Sequence, residues 1–261
     1  MKIQVSNLWY RYEKSGHDIL RNVSHTFEQG SFWGIFGPNG SGKTSLLKIM
    51  GGILPTENLL RGSVSTEVLW KNRRDLAKNL AYIPGSLHTE FSLTVKEFCM
   101  HARYAHEDFW KKPSSKDHKI VNDTLERLAL QSIANIPLIE LSSGQIQLAL
   151  IARGIAQEPN ALLLDECISN LDLNFQLKIF SLLKKLNEEG MTIIMVCHDL
   201  NLASEFIPQA LWLKYGEVYK AGSLENTFTT ETIGALYPST SLTVDRNPLS
   251  GKPKIFYKSH V

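Results

Sequence analysis

Cysteine is scarce in this chain of 261 residues: only Cys99, Cys167 and Cys197 occur, odd in number, far apart and without metal-ligand spacing. That excludes a disulfide-stapled framework and a cysteine-rich metal site, and it fits three small apolar residues in a reducing compartment. Also missing is any uninterrupted apolar stretch of the ~18–20 residues that a membrane-spanning helix needs. The richest segment, Ile146 to Ile155, carries Gln147 and Arg153. Any membrane role must therefore come through a partner. Neither sign of charge is in excess: 28 Lys plus Arg stand against 26 Asp plus Glu, interspersed. Such a balance points neither to nucleic acid nor to an acidic partner. Internal repeats, low-complexity tracts and long heptad runs are absent. Met1-Lys2-Ile3-Gln4-Val5 alternates polar and apolar like a strand and lacks the apolar core of an export signal.

What is present begins with Gly37-Pro38-Asn39-Gly40-Ser41-Gly42-Lys43-Thr44, preceded by apolar Phe32 to Phe36 and followed by Ser45 to Met50. The pattern predicts a strand, a glycine-rich loop and a helix. Glycines let backbone N–H groups turn inward on phosphates, and the helix N-terminus adds its partial positive charge. Lys43 is expected to reach the β- and γ-phosphates of a nucleoside triphosphate, and the Thr44 hydroxyl to coordinate Mg²⁺.

Around this cradle the chain divides by texture. Ile3 to Trp9, Ser24 to Phe27 and Ser31 to Phe36 read as short strands, a small antiparallel layer leading into the loop. A turn-rich section, Gly51 to Gly62, precedes a strand expected at Ser63 to Trp70. Leu80 to Ile83 then reads as a buried strand stopped by Pro84-Gly85. From Ser86 to about Pro159 the apolar spacing is helical, as in Val95-Phe98-Cys99-Ala102 and Val121-Leu125-Leu128, with an exposed loop expected over Phe109 to Lys119. Ala161-Leu162-Leu163-Leu164 reads as a strand buried on both faces, ending in the carboxylate pair Asp165-Glu166. A helix follows from Phe175 to Glu189, with Gly190 as its stop, then a buried strand from Thr192 to Cys197 ending at His198-Asp199. Functional residues at the carboxyl ends of alternating strands and helices predict an α/β parallel sheet. Ala210 to Leu213 and Glu217 to Lys220 form an expected hairpin around Tyr215-Gly216, and the sequence beyond reads as polar and turn-rich.

Leu141-Ser142-Ser143-Gly144-Gln145, about twenty residues before Asp165-Glu166, makes the pattern specific. Together with the glycine loop (Walker A), these segments resemble the signature loop and Walker B strand of ATP-binding cassette (ABC) ATPases. Ser169-Asn170-Leu171-Asp172 and His198 fall where that family keeps its D-loop and switch histidine. The resemblance covers about Leu8 to Gly222. It implies a P-loop NTPase (RecA-like) core, residues 1–85 and 160–261, with an N-terminal antiparallel β layer, and a helical subdomain inserted at 86–159. It also implies ATP and Mg²⁺ as ligands. Asp165 would hold the Mg²⁺ shell through water, Glu166 would orient and deprotonate the attacking water, and His198 would touch the γ-phosphate. Gly37 to Ser45 would cradle the phosphates, and an aromatic ring would stack on adenine; Tyr12 is favoured over its neighbour Tyr10. Ser142, Ser143, Gly144 and Gln145, at a helix start, would meet ATP held by a second copy, with Asp172 near the seam.

Three positions depart from the family pattern. Gly85 stands where the family generally places a glutamine that reaches Mg²⁺, leaving Ser86, His88 or a water to fill the gap. Ser143 replaces a usual glycine, and Cys167-Ile168 replaces a usual Pro-Thr. The coupling between nucleotide and insert is therefore expected to work in altered form. His198 to Ala203 and Leu93-Thr94-Val95-Lys96-Glu97 resemble the ATPase subunits of importers for iron-siderophores, haem and cobalamin. The implied partners are a second cassette subunit, transmembrane permease subunits and, indirectly, a substrate-binding protein, with no nucleic acid; the implied place is the cytoplasmic face of the inner membrane. The alternatives are a soluble cassette ATPase of the cluster-assembly scaffold type and a catalytically attenuated regulatory cassette.

Overall fold

The computed structural model describes residues 1–13, 16–54, 59–66, 73–87, 92–106, 112–168, 171–239 and 241–257. The end of the strand expected at 63–70, the start of the loop expected at 109–119, His88 and Ser169-Asn170 lie outside them. In chain order the first half comprises β1 (Ile3–Tyr10), β2 (Leu20–Phe27), β3 (Phe32–Phe36), α1 (Lys43–Met50), β4 (Leu59–Thr66), α2 (Arg73–Asn79) and β5 (Leu80–Ile83). The insert region carries α3 (Val95–Met100), α4 (Ser115–Arg127) and α5 (Ser143–Ala156). The second half comprises β6 (Ala161–Asp165), α6 (Leu173–Glu188), β7 (Thr192–Val196), α7 (Leu200–Phe206), β8 (Gln209–Lys214), β9 (Glu217–Ser223), α8 (Leu224–Thr227), α9 (Thr230–Leu236), β10 (Leu242–Arg246) and β11 (Pro253–Tyr257).

Largely apolar runs place β3, β6 and β7 in the middle of a sheet, where every residue of the three is buried. The six-stranded order is β5-β6-β7-β3-β8-β9, parallel except for the last, antiparallel pair. Because side chains alternate along a strand, Leu162 and Leu164 join one core layer with α5 and α6, while Leu163 joins the other with α1 and the N-terminal strands. The carboxyl ends of β3, β6 and β7 therefore open on one edge, the position at which α/β sheets bind ligands.

The antiparallel layer is β2-β1-β4. Here the structure corrects the sequence reading: β3 lies in the parallel sheet, and β4, beginning at Leu59, supplies the third strand of the layer. Asn7 takes a left-handed φ of 47°, and the pairing shifts between Val5 and Leu8. This bulge keeps Ile3, Val5, Leu8 and Tyr10 all facing the core.

Described residues of 86–159 form helices and turns, each of the three α-helices opened by a reciprocal cap: Thr94 with Glu97, Ser114 with Asp117, Ser142 with Gln145. The three cysteines are free and buried, as small apolar residues. The end of the chain differs from the turn-rich tail expected. After α8 and α9, β10 and β11 form a hairpin clamped to α7 by Asn201, whose Nδ2 donates to the Ile255 carbonyl at 3.2 Å while its Oδ1 accepts from the Ile255 N–H at 2.7 Å. Short, half-exposed strands carry a weak alternation, which a polar composition hides.

Candidate active site

Three glycines shape the loop between β3 and α1. Gly37, Gly40 and Gly42 take φ of 143°, 77° and 97°, where L side chains are strained. A Cβ on Gly37 would lie 2.1 Å from the Leu213 carbonyl oxygen. The loop wraps one wall of a cavity of about 1210 Å³, which Tyr12, Asn39, Gly40, Ser41, Gly42, Lys43, Thr44 and Ser45 line together with Gly85, Asp165, Glu166 and His198. Gly37 and Pro38 hold the lysine by their carbonyls: Lys43 Nζ donates to them at 2.8 and 2.9 Å. Burial lowers the pKa of the lysine, and Glu166 and Asp165 oppose that shift by their charge. Ser41 Oγ is buried with no hydrogen-bond partner among the described residues, an unmet polar group within the phosphate loop.

At the end of β6 both Asp165 oxygens are engaged: Thr44 Oγ1 donates to Oδ1 at 2.9 Å and Tyr82 Oη to Oδ2 at 2.7 Å. A hydroxyl and a carboxylate oxygen within 2.9 Å of each other, beside a phosphate cradle, are hard oxygen donors of the kind Mg²⁺ takes. The next residue, Glu166, holds φ at 56°. Such a left-handed turn at a strand end is strained for a residue with a side chain, and it aims the carboxylate into the cavity. There Glu166 Oε1 meets His198 Nε2 at 2.7 Å, joining the ends of β6 and β7. A carboxylate paired with an imidazole can accept a proton from water and keep its orientation while doing so.

Tyr12 lines the cavity with its hydroxyl 3.1 Å from Ser45 Oγ, whereas Tyr10 is fully buried behind it, ring edge to ring face at 5.1 Å. Ser142, Ser143, Gly144, Gln145 and Asp172 do not line this cavity. Ser142 caps α5, its Oγ accepting from the Gln145 N–H, and Asp172 caps α6. Ser143 sits in the first helical turn with ordinary helical backbone, so serine is accommodated where the family prefers glycine. A Cβ on Gly144 would lie 3.0 Å from the Phe175 ring. Cys167 and Ile168 are buried.

Gly85 lies on the cavity wall, where a Cβ would come within 2.6 Å of the Asp165 carbonyl oxygen. Ser86 lines the same wall. Sequence reasoning overlooked Tyr82. The alternation of β5 separates Ala81 and Ile83, in one core layer, from Leu80 and Tyr82, in the other on the side of the phosphate loop, but local pattern does not reveal that β6 brings Asp165 alongside.

Residues 20–169 match the family described as ABC transporter. The chain is 32% identical over 237 residues to the manganese transport system ATP-binding protein MntB of Halalkalibacterium halodurans, covering 90% of this chain and 91% of that protein. It is 33% identical over 239 residues to the iron(3+)-hydroxamate import ATP-binding protein FhuC of Bacillus subtilis, covering 90% and 87%. YvrA of Bacillus subtilis, an ABC transporter ATP-binding protein, is 34% identical, and the chain spans 54% of its length. Among solved structures, a metal-chelate type ABC transporter in an inward-facing conformation superposes with a TM-score of 0.84 at 27% identity over 99% of both chains. The dimeric cassette MJ0796 does so with a TM-score of 0.71 at 29% identity over 85% of this chain and 98% of that one.

Proposed function

The chain belongs to the ABC transporter family as an ATP-binding, ATP-hydrolysing subunit, and from that premise we propose that it drives import of a metal ion or metal chelate as a homodimer beneath separate permease subunits. The names of MntB, FhuC and the metal-chelate transporter, which specify manganese, iron(3+)-hydroxamate and a metal chelate, support that class of cargo. No helix among the described residues is long and apolar enough to cross a membrane. The importer relatives, named as ATP-binding proteins of transport systems, support the reading of the permease as a separate polypeptide, with the cassette at the cytoplasmic face of the inner membrane.

The observation that carries the catalytic reading is the Glu166–His198 contact at 2.7 Å, facing the phosphate loop across one cavity. ATP places its phosphates on the loop amides, and Lys43 exchanges its carbonyl partners for phosphate oxygens. Adenine rests by Tyr12. Glu166 accepts a proton from the attacking water while His198 steadies the carboxylate and meets the γ-phosphate. Thr44 and Asp165 would hold Mg²⁺, which would neutralise charge on the β- and γ-phosphates. The serine-capped start of α5 would close on the γ-phosphate from a second copy, with Asp172 at the seam. Binding closes the pair and hydrolysis releases it, a two-state device that the permease reads.

Glu166→Gln keeps the hydrogen-bonding shape and removes the base. Hydrolysis is expected to fall about 100-fold or more while ATP binding persists and a closed dimer accumulates, measured by phosphate release and size-exclusion chromatography. Unchanged turnover would refute the assignment of Glu166. Affinity capture from solubilised membranes, with identification of a co-purifying permease, tests the importer reading against a cassette without one.

A further inference from the structure

Asp165 is fixed from two directions by two different elements. Thr44, at the start of α1, holds Oδ1, and Tyr82, on the neighbouring strand β5, holds Oδ2. A carboxylate torsion is broad when free, so two directional bonds at 2.9 and 2.7 Å define a plane that one bond would leave loose. A phenol, with an ordinary pKa of about 10, is a hydrogen-bond donor to a carboxylate at neutral pH. The ring itself is half-buried in the core layer that holds α1 and the N-terminal strands. No side chain at position 85 can act on this carboxylate without moving the strands, because a Cβ there meets the Asp165 backbone at 2.6 Å.

Building on the reading of Thr44 and Asp165 as the metal-side pair, we propose that Tyr82 is a positioning residue for ATP hydrolysis, its hydroxyl holding the Asp165 carboxylate in the orientation that receives the divalent cation accompanying ATP. Tyr82 acts through Asp165. Outer partners of metal-binding carboxylates set ligand orientation, and losing one typically weakens the metal site by a factor of ten or more.

Tyr82→Phe in the full chain removes one oxygen and keeps the ring. Mn²⁺ serves as the probe, its binding followed by electron paramagnetic resonance at saturating ATP, alongside ATP binding in EDTA. The expected result is a rise of about tenfold in the Mn²⁺ concentration giving half-saturation, with cation-free ATP affinity unchanged within about twofold. An unaltered Mn²⁺ requirement would overturn the proposal. So would equal weakening of both measurements, which would make Tyr82 a packing residue. If the unsubstituted chain binds ATP no better with Mn²⁺ than without, the metal-site reading fails and takes this one with it; the loss of enhancement in the substituted chain alone separates the two cases.

Discussion

His25, on β2, lies edge-on between Phe27 and Trp33 at 4.7 and 4.5 Å, and its buried Nε2 has no hydrogen-bond partner among the described residues. Removal from water disfavours the imidazolium and lowers the pKa from 6.5 to about 4. The sign follows from linkage. As pH falls below 6.5 the unfolded chain takes up the proton first, so the neutral His25 contributes its full stability above 6.5 and loses it progressively as pH falls through about 4. Urea midpoints at pH 7.5, 6 and 5 are expected to decline on the acid side, and His25→Phe should flatten that decline. An equal decline in both chains would show that other groups control it. Lys43 illustrates the opposite economy at the same scale: a buried cation held by two carbonyls of its own loop, which the proposed mechanism has it exchange for phosphate oxygens.

At the scale of elements, the parallel pairing of β5 with β6 decides what position 85 can be. Ile83 sits opposite Leu164, and two residues on the chain passes the Asp165 carbonyl too closely for any Cβ. Restoring the family's glutamine is therefore not expected to restore its function. Gly85→Gln should push the ends of β5 and β6 apart, cost about 1–3 kcal/mol of stability and depress hydrolysis, read by thermal unfolding and phosphate release. Gly85→Ala should behave alike, because the collision lies at Cβ. A gain in turnover from either would contradict the strand geometry. The same pairing explains why Tyr82 was unread: in a four-residue apolar run, a tyrosine is indistinguishable from packing until its neighbouring strand is known.

At the scale of the molecule, the Ser142 helix tip and Asp172 are solvent-exposed caps absent from the cavity of their own chain. Leu173, next to Asp172, is 62% exposed, an apolar residue without cover. In the proposed homodimer a second copy would supply both wants. Ser41 is 3% exposed and unsuited to crosslinking, whereas Asn39 at the rim of the same loop is open. With Asn39→Cys and Ser142→Cys in one chain, oxidation is expected to yield a disulfide-linked dimer with ATP present and far less without it, scored on a non-reducing gel. The native cysteines should not interfere, since burial pushes all three thiols up, those of Cys99 and Cys197 to about 12. Failure to crosslink with nucleotide would refute the shared site.

The sequence by itself determined the phosphate loop, the carboxylate pair, the histidine at the next strand end and the helical texture of 86–159. Each is a local rule: glycines where φ turns positive, unbroken apolar runs where both strand faces are covered, caps at fixed spacing. Only the tertiary structure decided which strand neighbours which. It moved β3 out of the antiparallel layer, brought Tyr82 to Asp165, closed position 85 to side chains and folded the polar end of the chain into a hairpin on α7. Those outcomes depend on distances between residues far apart in the chain, and a period of two or of 3.6 residues carries no information about them.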